Sequence, residues 1–282
     1  MVPVVSMVFM ALVAVGCIVV PFGAMLWIWS RRHPDGSRRY PRVWRAFWCG
    51  MLAFVASQVL TRIPLMTVVV PQLPEPVSGF LLSGPVASYT AGLFEETGRL
   101  VVMLLLLKAF HRWIDGVSFG LGHGGIEAML IVGMANVNNL VLAATINAGQ
   151  WDTIAQALPP EAAEQLHAAL VDAAPHMFLL GGVERLAAIT LHIACSLVVL
   201  AGIVHGRKLL AWVAAVLLHG TFNLVAVLMV GAGIDLVLVE VVLVALAIGL
   251  WVGIMKSRPL FPTEIAAPSA PGSEVPPAPR VG

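Results

Sequence analysis

Charge is what this chain has least of: charged residues are 11% of its 282 positions against 59% hydrophobic, and the mean hydropathy is +0.93. That balance excludes a soluble globular domain. Sixteen basic and fifteen acidic residues leave a formal net charge of +1, so there is no pooled basic surface for nucleic acid. Cysteine is also scarce, and Cys49 and Cys195 fall inside apolar stretches, where packing suits them better than a disulfide. A consecutive His-Glu-x-x-His motif is absent, and with it the compact signature of a zinc peptidase helix. No internal repeat is evident: the Glu-Glu-x-x-Arg run at Glu95 to Arg99 occurs once, and Glu184-Arg185 is only a partial echo. This counts against a transporter built from inverted halves. The first segment has no basic n-region and no evident small-residue cleavage site, so it reads as a retained span.

Seven apolar stretches are long enough, at about 20 residues each, to cross hydrocarbon as helices. They cover about 4 to 29, 46 to 66, 85 to 107, 117 to 142, 178 to 203, 209 to 230 and 233 to 255. The expected fold is therefore an all-α polytopic bundle occupying 1–256, with a catalytic core at about 85–230 and a disordered, Pro- and Ala-rich tail at 257–282. Between the first two stretches, Arg31 to Arg45 holds six arginines and one aspartate, a loop that belongs in the cytoplasm. Lys108, Arg112, Arg207, Lys208, Lys256 and Arg258 fall on the same side after seven crossings, and only Arg62 opposes them. The connection from about 147 to 175 carries Asp152, Glu161, Glu164 and Asp172 with no Lys or Arg, as an outer loop should. The expectation is an N-terminus outside and a C-terminus inside, in the bacterial cytoplasmic membrane.

Inside these spans stand groups that lipid does not tolerate. An ionised side chain at mid-bilayer costs roughly 2.5–3.5 kcal/mol on insertion scales, so such groups face one another within a bundle. Glu95, Glu96 and Arg99 lie in the third span, His123 and Glu127 in the fourth, Glu184, Arg185 and His192 in the fifth, and His219 and Asn223 in the sixth. At about 1.5 Å per residue, Glu95, Glu96 and His219 fall near one depth, with His123 and His192 closer to the cytoplasm and Glu184 closer to the outside. Glu95 with Arg99, His123 with Glu127, and His219 with Asn223 are each four residues apart, so each helix can present two groups inward. A buried Arg–carboxylate pair, a lone histidine or the glycines around His123 also suit helix packing alone. The coincidence of paired carboxylates, histidines and an asparagine at one level favours chemistry. A glutamate can take a proton from water, a histidine can help to hold that water, and His219 with Asn223 can donate to an oxyanion.

Phe119-x-x-x-His123 and His219-x-x-x-Asn223, following the Glu95-Glu96 pair, resemble the motifs of the CAAX-protease and bacteriocin-processing (CPBP) superfamily of intramembrane proteases. Glu95-Glu96-Thr97-Gly98-Arg99, the run from Gly122 to Ala128, and Glu184-Arg185 followed by His192 are closer still to its YhfC branch. The resemblance covers about residues 90 to 225. It implies a helical membrane peptidase in which Glu95 activates water, His123 assists, and His219 and Asn223 stabilise the oxyanion, acting on a membrane-embedded or lipidated protein or peptide. The superfamily spacing is Glu-Glu-x-x-x-Arg, whereas Arg99 follows Glu96 by three positions, so Glu96 is the alternative base. A glutamate-activated water without an obligatory metal is the first expectation, and His123, His192 and His219 are the ligands if zinc is bound. Arg99, Glu127, Glu184, Arg185 and His192 are expected in support. A proton- or ion-coupled transporter, or a membrane protein whose polar groups only specify packing, are the competing classes.

Overall fold

A chain in hydrocarbon must satisfy its backbone polar groups internally, and the computed structural model, which describes residues 1–262, is helical in each apolar stretch. The long helices are α1 (Val4–Ser30) and α2 (Val43–Phe54), then α3 (Glu75–Leu82) and α4 (Gly84–Leu106). They continue with α5 (Trp113–Ala128) and α6 (Met134–Asn147), two short helices α7 (Trp151–Ala155) and α8 (Pro160–Val171), and finally α9 (Met177–Val204), α10 (Lys208–Gly231) and α11 (Leu236–Lys256). Among the described residues six helices are long and apolar enough to span a membrane, with the bent pair α3–α4 as a seventh. This matches the expected all-α polytopic bundle. Side chains such as Leu12, Val15, Leu105, Leu209 and Ile248 stay exposed on its outside, as a lipid-facing surface requires. Of the expected tail, Arg258–Leu260 forms a 3-10 turn and Phe261 is buried; residues 263–282 lie outside the described residues.

Two departures from plain helix have local causes. The helix of the second stretch runs on to Gln72, but Val55–Arg62 and Leu65–Val69 are wound as π-helix. Pro64 offers no N–H to the preceding turn, and Ser57 and Thr61 hydroxyls hydrogen-bond back to Ala53 and Ser57 carbonyls, so the regular ladder is contested there. Between α3 and α4 the chain bends by 67° at Ser83, whose backbone is extended. Gly84 and Pro85 follow as the first residues of α4, where a proline's missing N–H and fixed φ suit a helix start.

The bundle is organised around α5, which packs against α1, α2 and α9, while α10 packs on α4 and α9 and α11 closes over α9. Glycine makes the centre possible. A Cβ on Gly122 would stand 2.0 Å from the Phe47 carbonyl oxygen on α2, and one on Gly120 would stand 2.4 Å from the Ile193 Cα on α9. With backbones this close, His123, on the helix between them, is fully buried.

The basic connections gather at one end. Arg45 reaches the Leu106 carbonyl at 3.0 Å, Arg112 the Pro41 carbonyl at 3.2 Å, Trp113 Nε1 the Ile254 carbonyl at 3.1 Å, and His205 the Leu260 carbonyl at 3.0 Å. The Arg31 and Arg38 guanidiniums lie over Trp27 and Trp29 at 4.0 and 3.4 Å, cation–π contacts suited to the headgroup level. At the other end Val2 and Asn147 exchange backbone and side-chain hydrogen bonds of 2.7 and 3.0 Å. A separate apolar cluster there joins Met10, Ile146 and Leu170 beneath the acidic connection.

Two measurements follow. A cysteine at Ser37 should react with an impermeant maleimide only after cell lysis and one at Gln156 in intact cells; the opposite pattern would invert the expected orientation. Gly122→Val should destabilise the fold by at least the roughly 1–3 kcal/mol typical of overpacking a filled core, read as a lower thermal midpoint in detergent, whereas Gly249→Ala, with open space around it, should not.

Candidate active site and metal centre

Helix α4 brings Glu95, Glu96 and Arg99 into the interior, each no more than 4% exposed. The i,i+4 pairing of Glu95 with Arg99 does not form. Arg99 instead turns its fork one residue nearer, donating from Nε to Glu96 Oε2 at 2.7 Å and from Nη2 to Glu96 Oε1 at 3.1 Å. The bidentate fit of guanidinium to carboxylate decides the partner. The rest of the guanidinium reaches α9, donating to the His192 carbonyl at 3.3 Å, to the Ser196 hydroxyl, and to His192 Nδ1 at 3.1 Å.

Glu95 is thereby left free for other partners. Its Oε1 accepts from Gln58 Nε2 at 2.6 Å and its Oε2 from His123 Nε2 at 3.0 Å. Around the same Oε2 stand His192 Nδ1 at 3.8 Å and His219 Nε2 at 3.9 Å. Three histidines from α5, α9 and α10 thus converge on one carboxylate oxygen from α4.

Each of two rings has a carboxylate behind it. Glu96, fixed as an acceptor by Arg99, takes a hydrogen bond from His219 Nδ1 at 2.9 Å. Glu127 takes one from His192 Nε2 at 2.5 Å and is itself held by Arg185 Nη1 at 2.7 Å, with Glu184 on the other arm of Arg185. A ring nitrogen that donates to a carboxylate leaves its opposite nitrogen as a lone pair. His219 Nε2 therefore faces Glu95 with its lone pair, while the His192 Nδ1 lone pair, 3.8 Å from Glu95 Oε2, accepts from Arg99 Nη2. His123 differs, since its Nδ1 is buried with no partner. Glu127 pairs with His192, not with His123 on its own helix.

These donors suit a divalent cation. The ligand atoms of Glu95, His192 and His219 all lie within 4.8 Å of one another, and zinc is held by imidazole nitrogen and carboxylate oxygen at about 2.0–2.2 Å. Charge points the same way. Four carboxylates, Glu95, Glu96, Glu127 and Glu184, meet two directly bonded guanidiniums, Arg99 and Arg185. That is a deficit of two positive charges, and Arg62, which bonds Gln58 but none of the four carboxylates, reduces it without closing it. Arg99 does compete for the His192 Nδ1 lone pair. It can release that bond and keep its contacts with Glu96, Ser196 and the His192 carbonyl. Glu96, Cys195 and His219 form a second close group, but Glu96 is already occupied by Arg99 and His219 Nδ1.

Of the residues singled out from sequence, Asn223 is not joined to the cluster. It is half-buried and makes no side-chain hydrogen bond among the described residues. Gln58 and Ser196 enter unannounced. Gln58 sits four residues before Arg62 in an apolar stretch, a polar pair at helical spacing that was its available signal; Ser196 four residues after His192 carried the same one.

Removing one partner of a buried ion pair leaves the other charged and unpaired, at about 3–5 kcal/mol. Arg99→Ala should therefore lower the thermal midpoint far more than Glu95→Gln, which keeps the shape and the Gln58 contact. Equal losses would show that the pair does not hold the bundle.

Comparison with known proteins covers the part of the chain that holds this cluster. A family model described as YhfC intramembrane metalloprotease matches residues 16–244, a range containing every residue of the cluster. The uncharacterized membrane protein YhfC of Bacillus subtilis (strain 168) is 33% identical over 266 residues, spanning 91% of this chain and 98% of that protein. No solved structure matches. The chain belongs to the YhfC intramembrane metalloprotease family.

Proposed function

We propose that this protein is an intramembrane metallopeptidase that hydrolyses a peptide bond of a membrane-embedded or lipidated protein. The observation that carries the reading is the close grouping of a carboxylate oxygen and two imidazole nitrogens in one buried place, each imidazole oriented by a carboxylate behind it. Carboxylate–histidine pairs of this kind fix the tautomer that ligation requires. The metal-free reaction preferred from sequence finds no support in a family described as metalloproteases. Glu95, His192 Nδ1 and His219 Nε2 are the ligand set this geometry favours. That set replaces His123 with Glu95 relative to the three histidines expected from sequence.

A zinc ion held there would polarise the scissile carbonyl and make water a stronger nucleophile. The chain's own groups would do the rest. His123 would take a proton from the attacking water at Nε2 and return it to the leaving nitrogen, which requires the Nδ1–H tautomer and so the release of its present Nε2–H donation to Glu95 Oε2. Arg99 and Glu96 keep His219 aligned; Arg185 and Glu127 do the same for His192. Asn223, one turn from His219 with its amide unengaged, is available to the substrate carbonyl oxygen. A second reading rests on the direct 3.0 Å contact between His123 and Glu95: Glu95 itself acts as the base with His123 supporting it.

The two readings separate on purified protein. Under the first, about one equivalent of zinc co-purifies, a chelator abolishes cleavage of a hydrophobic reporter peptide, and zinc restores it. His192→Ala and His219→Ala lose the metal, while His123→Ala keeps it and loses cleavage. Full activity in metal-free protein would overturn the metallopeptidase reading and leave Glu95 as base. Proton or ion flux through liposomes without peptide cleavage would overturn both.

A further inference from the structure

The Glu95 carboxylate has two oxygens in different surroundings, and the difference originates on a helix that carries none of the proposed ligands. Gln58 is 4% exposed and donates Nε2 to Glu95 Oε1 at 2.6 Å. Its own oxygen faces Arg62 Nη1 at 3.4 Å. Arg62 is held across the interface by the Ala87 carbonyl at 2.8 Å and by the Thr90 hydroxyl at 3.3 and 3.4 Å. A guanidinium only donates. The Gln58 amide therefore has one orientation: oxygen toward Arg62, nitrogen toward Glu95. A carboxylate oxygen receiving an amide donor at that distance is committed as an acceptor, leaving Oε2 as the oxygen that meets His123, His192 and His219.

Gln58 and Arg62 both lie in the π-helical tract Val55–Arg62. Such tracts in a helix often mark functional positions.

We infer that Gln58 is a positioning residue for the reaction: oriented by Arg62, it pins one oxygen of Glu95 so that only the other is presented to the histidines. The inference rests on the reading of Glu95, His192 and His219 as the metal ligands. The amide has no proton to exchange at neutral pH, and its effect passes wholly through the carboxylate. The terminal torsion of a glutamate is broad, so without a donor on Oε1 nothing fixes the plane in which Oε2 approaches a metal.

Gln58→Met keeps length and bulk but cannot donate. Compared with the wild type in detergent, it should unfold within a few degrees of the same midpoint. It should bind Co2+ about 10–100-fold more weakly, the usual effect of losing a group that orients a metal ligand, and show altered visible absorption of the bound Co2+. Its kcat for a reporter peptide should fall with KM nearly unchanged. Arg62→Met should shift Co2+ affinity in the same direction but less, because Gln58 keeps its bond and loses only its orientation. Gln58→Asn, which retains an amide one methylene shorter, should recover part of the loss. A folded Gln58→Met protein with wild-type Co2+ affinity and spectrum would overturn the inference while leaving the metal centre standing, provided that Glu95→Gln abolishes binding. A wild-type protein that binds neither Co2+ nor Zn2+ would remove the centre itself, and the inference with it.

Discussion

The buried pair between Arg99 and Glu96 is the interaction on which the rest of the centre depends. By forking onto Glu96, Arg99 leaves Glu95 free, and by reaching Ser196 and the His192 backbone it ties α4 to α9. Glu96, held as a carboxylate, is then the acceptor that turns His219. One guanidinium thus joins three helices and sets the roles of two adjacent glutamates that local sequence does not distinguish. Its charge is acceptable at that depth because it is paired with the Glu96 carboxylate and its remaining donors find acceptors on α9.

Close helix approach is the second requirement. Imidazole and carboxylate reach only a few ångströms from their backbones, so groups from different helices meet only if the helices nearly touch. The glycine faces of α5 provide this, since the carbonyl of Phe47 and the Cα of Ile193 occupy space that a Cβ would need. The same tightness closes the site. Glu95 is 4% exposed, and His123, His192 and His219 are 0%, 1% and 2%, so a polypeptide can reach them only when helices part. A cavity of about 780 Å³ lies between α9, α10 and α11, lined from Ala194 and Leu218 to His205 and Leu260, and none of the cluster's side chains lines it.

A proton-coupled transporter would use many of the same residue types, and the network does not exclude such a use on composition alone. What separates the cases is arrangement. A relay needs groups strung along a path, whereas here two carboxylate–histidine pairs turn their second ring nitrogens toward a shared oxygen. The Glu127–Arg185–Glu184 branch serves as an anchor for His192 in this arrangement.

Sequence alone determined that the chain spans a membrane, where its long apolar helices lie and which of them carry ionisable groups, because hydrocarbon enforces long apolar runs and penalises every charge within them. Motif spacing also singled out Glu95, Glu96, His123, His192 and His219 as candidates. Pairings were decided only by the tertiary structure. That Arg99 takes Glu96, that Glu127 serves His192 and not His123, that Asn223 stands apart and that Gln58 reaches Glu95 all depend on how helices rotate and how closely they approach. Helical periodicity gives the face a residue occupies on its own helix, but not which group from another helix meets it. That second quantity is set by packing, through the glycine contacts of α5 and the π-turns of the second span, and it is what selects the oxygen of Glu95 that faces the histidines.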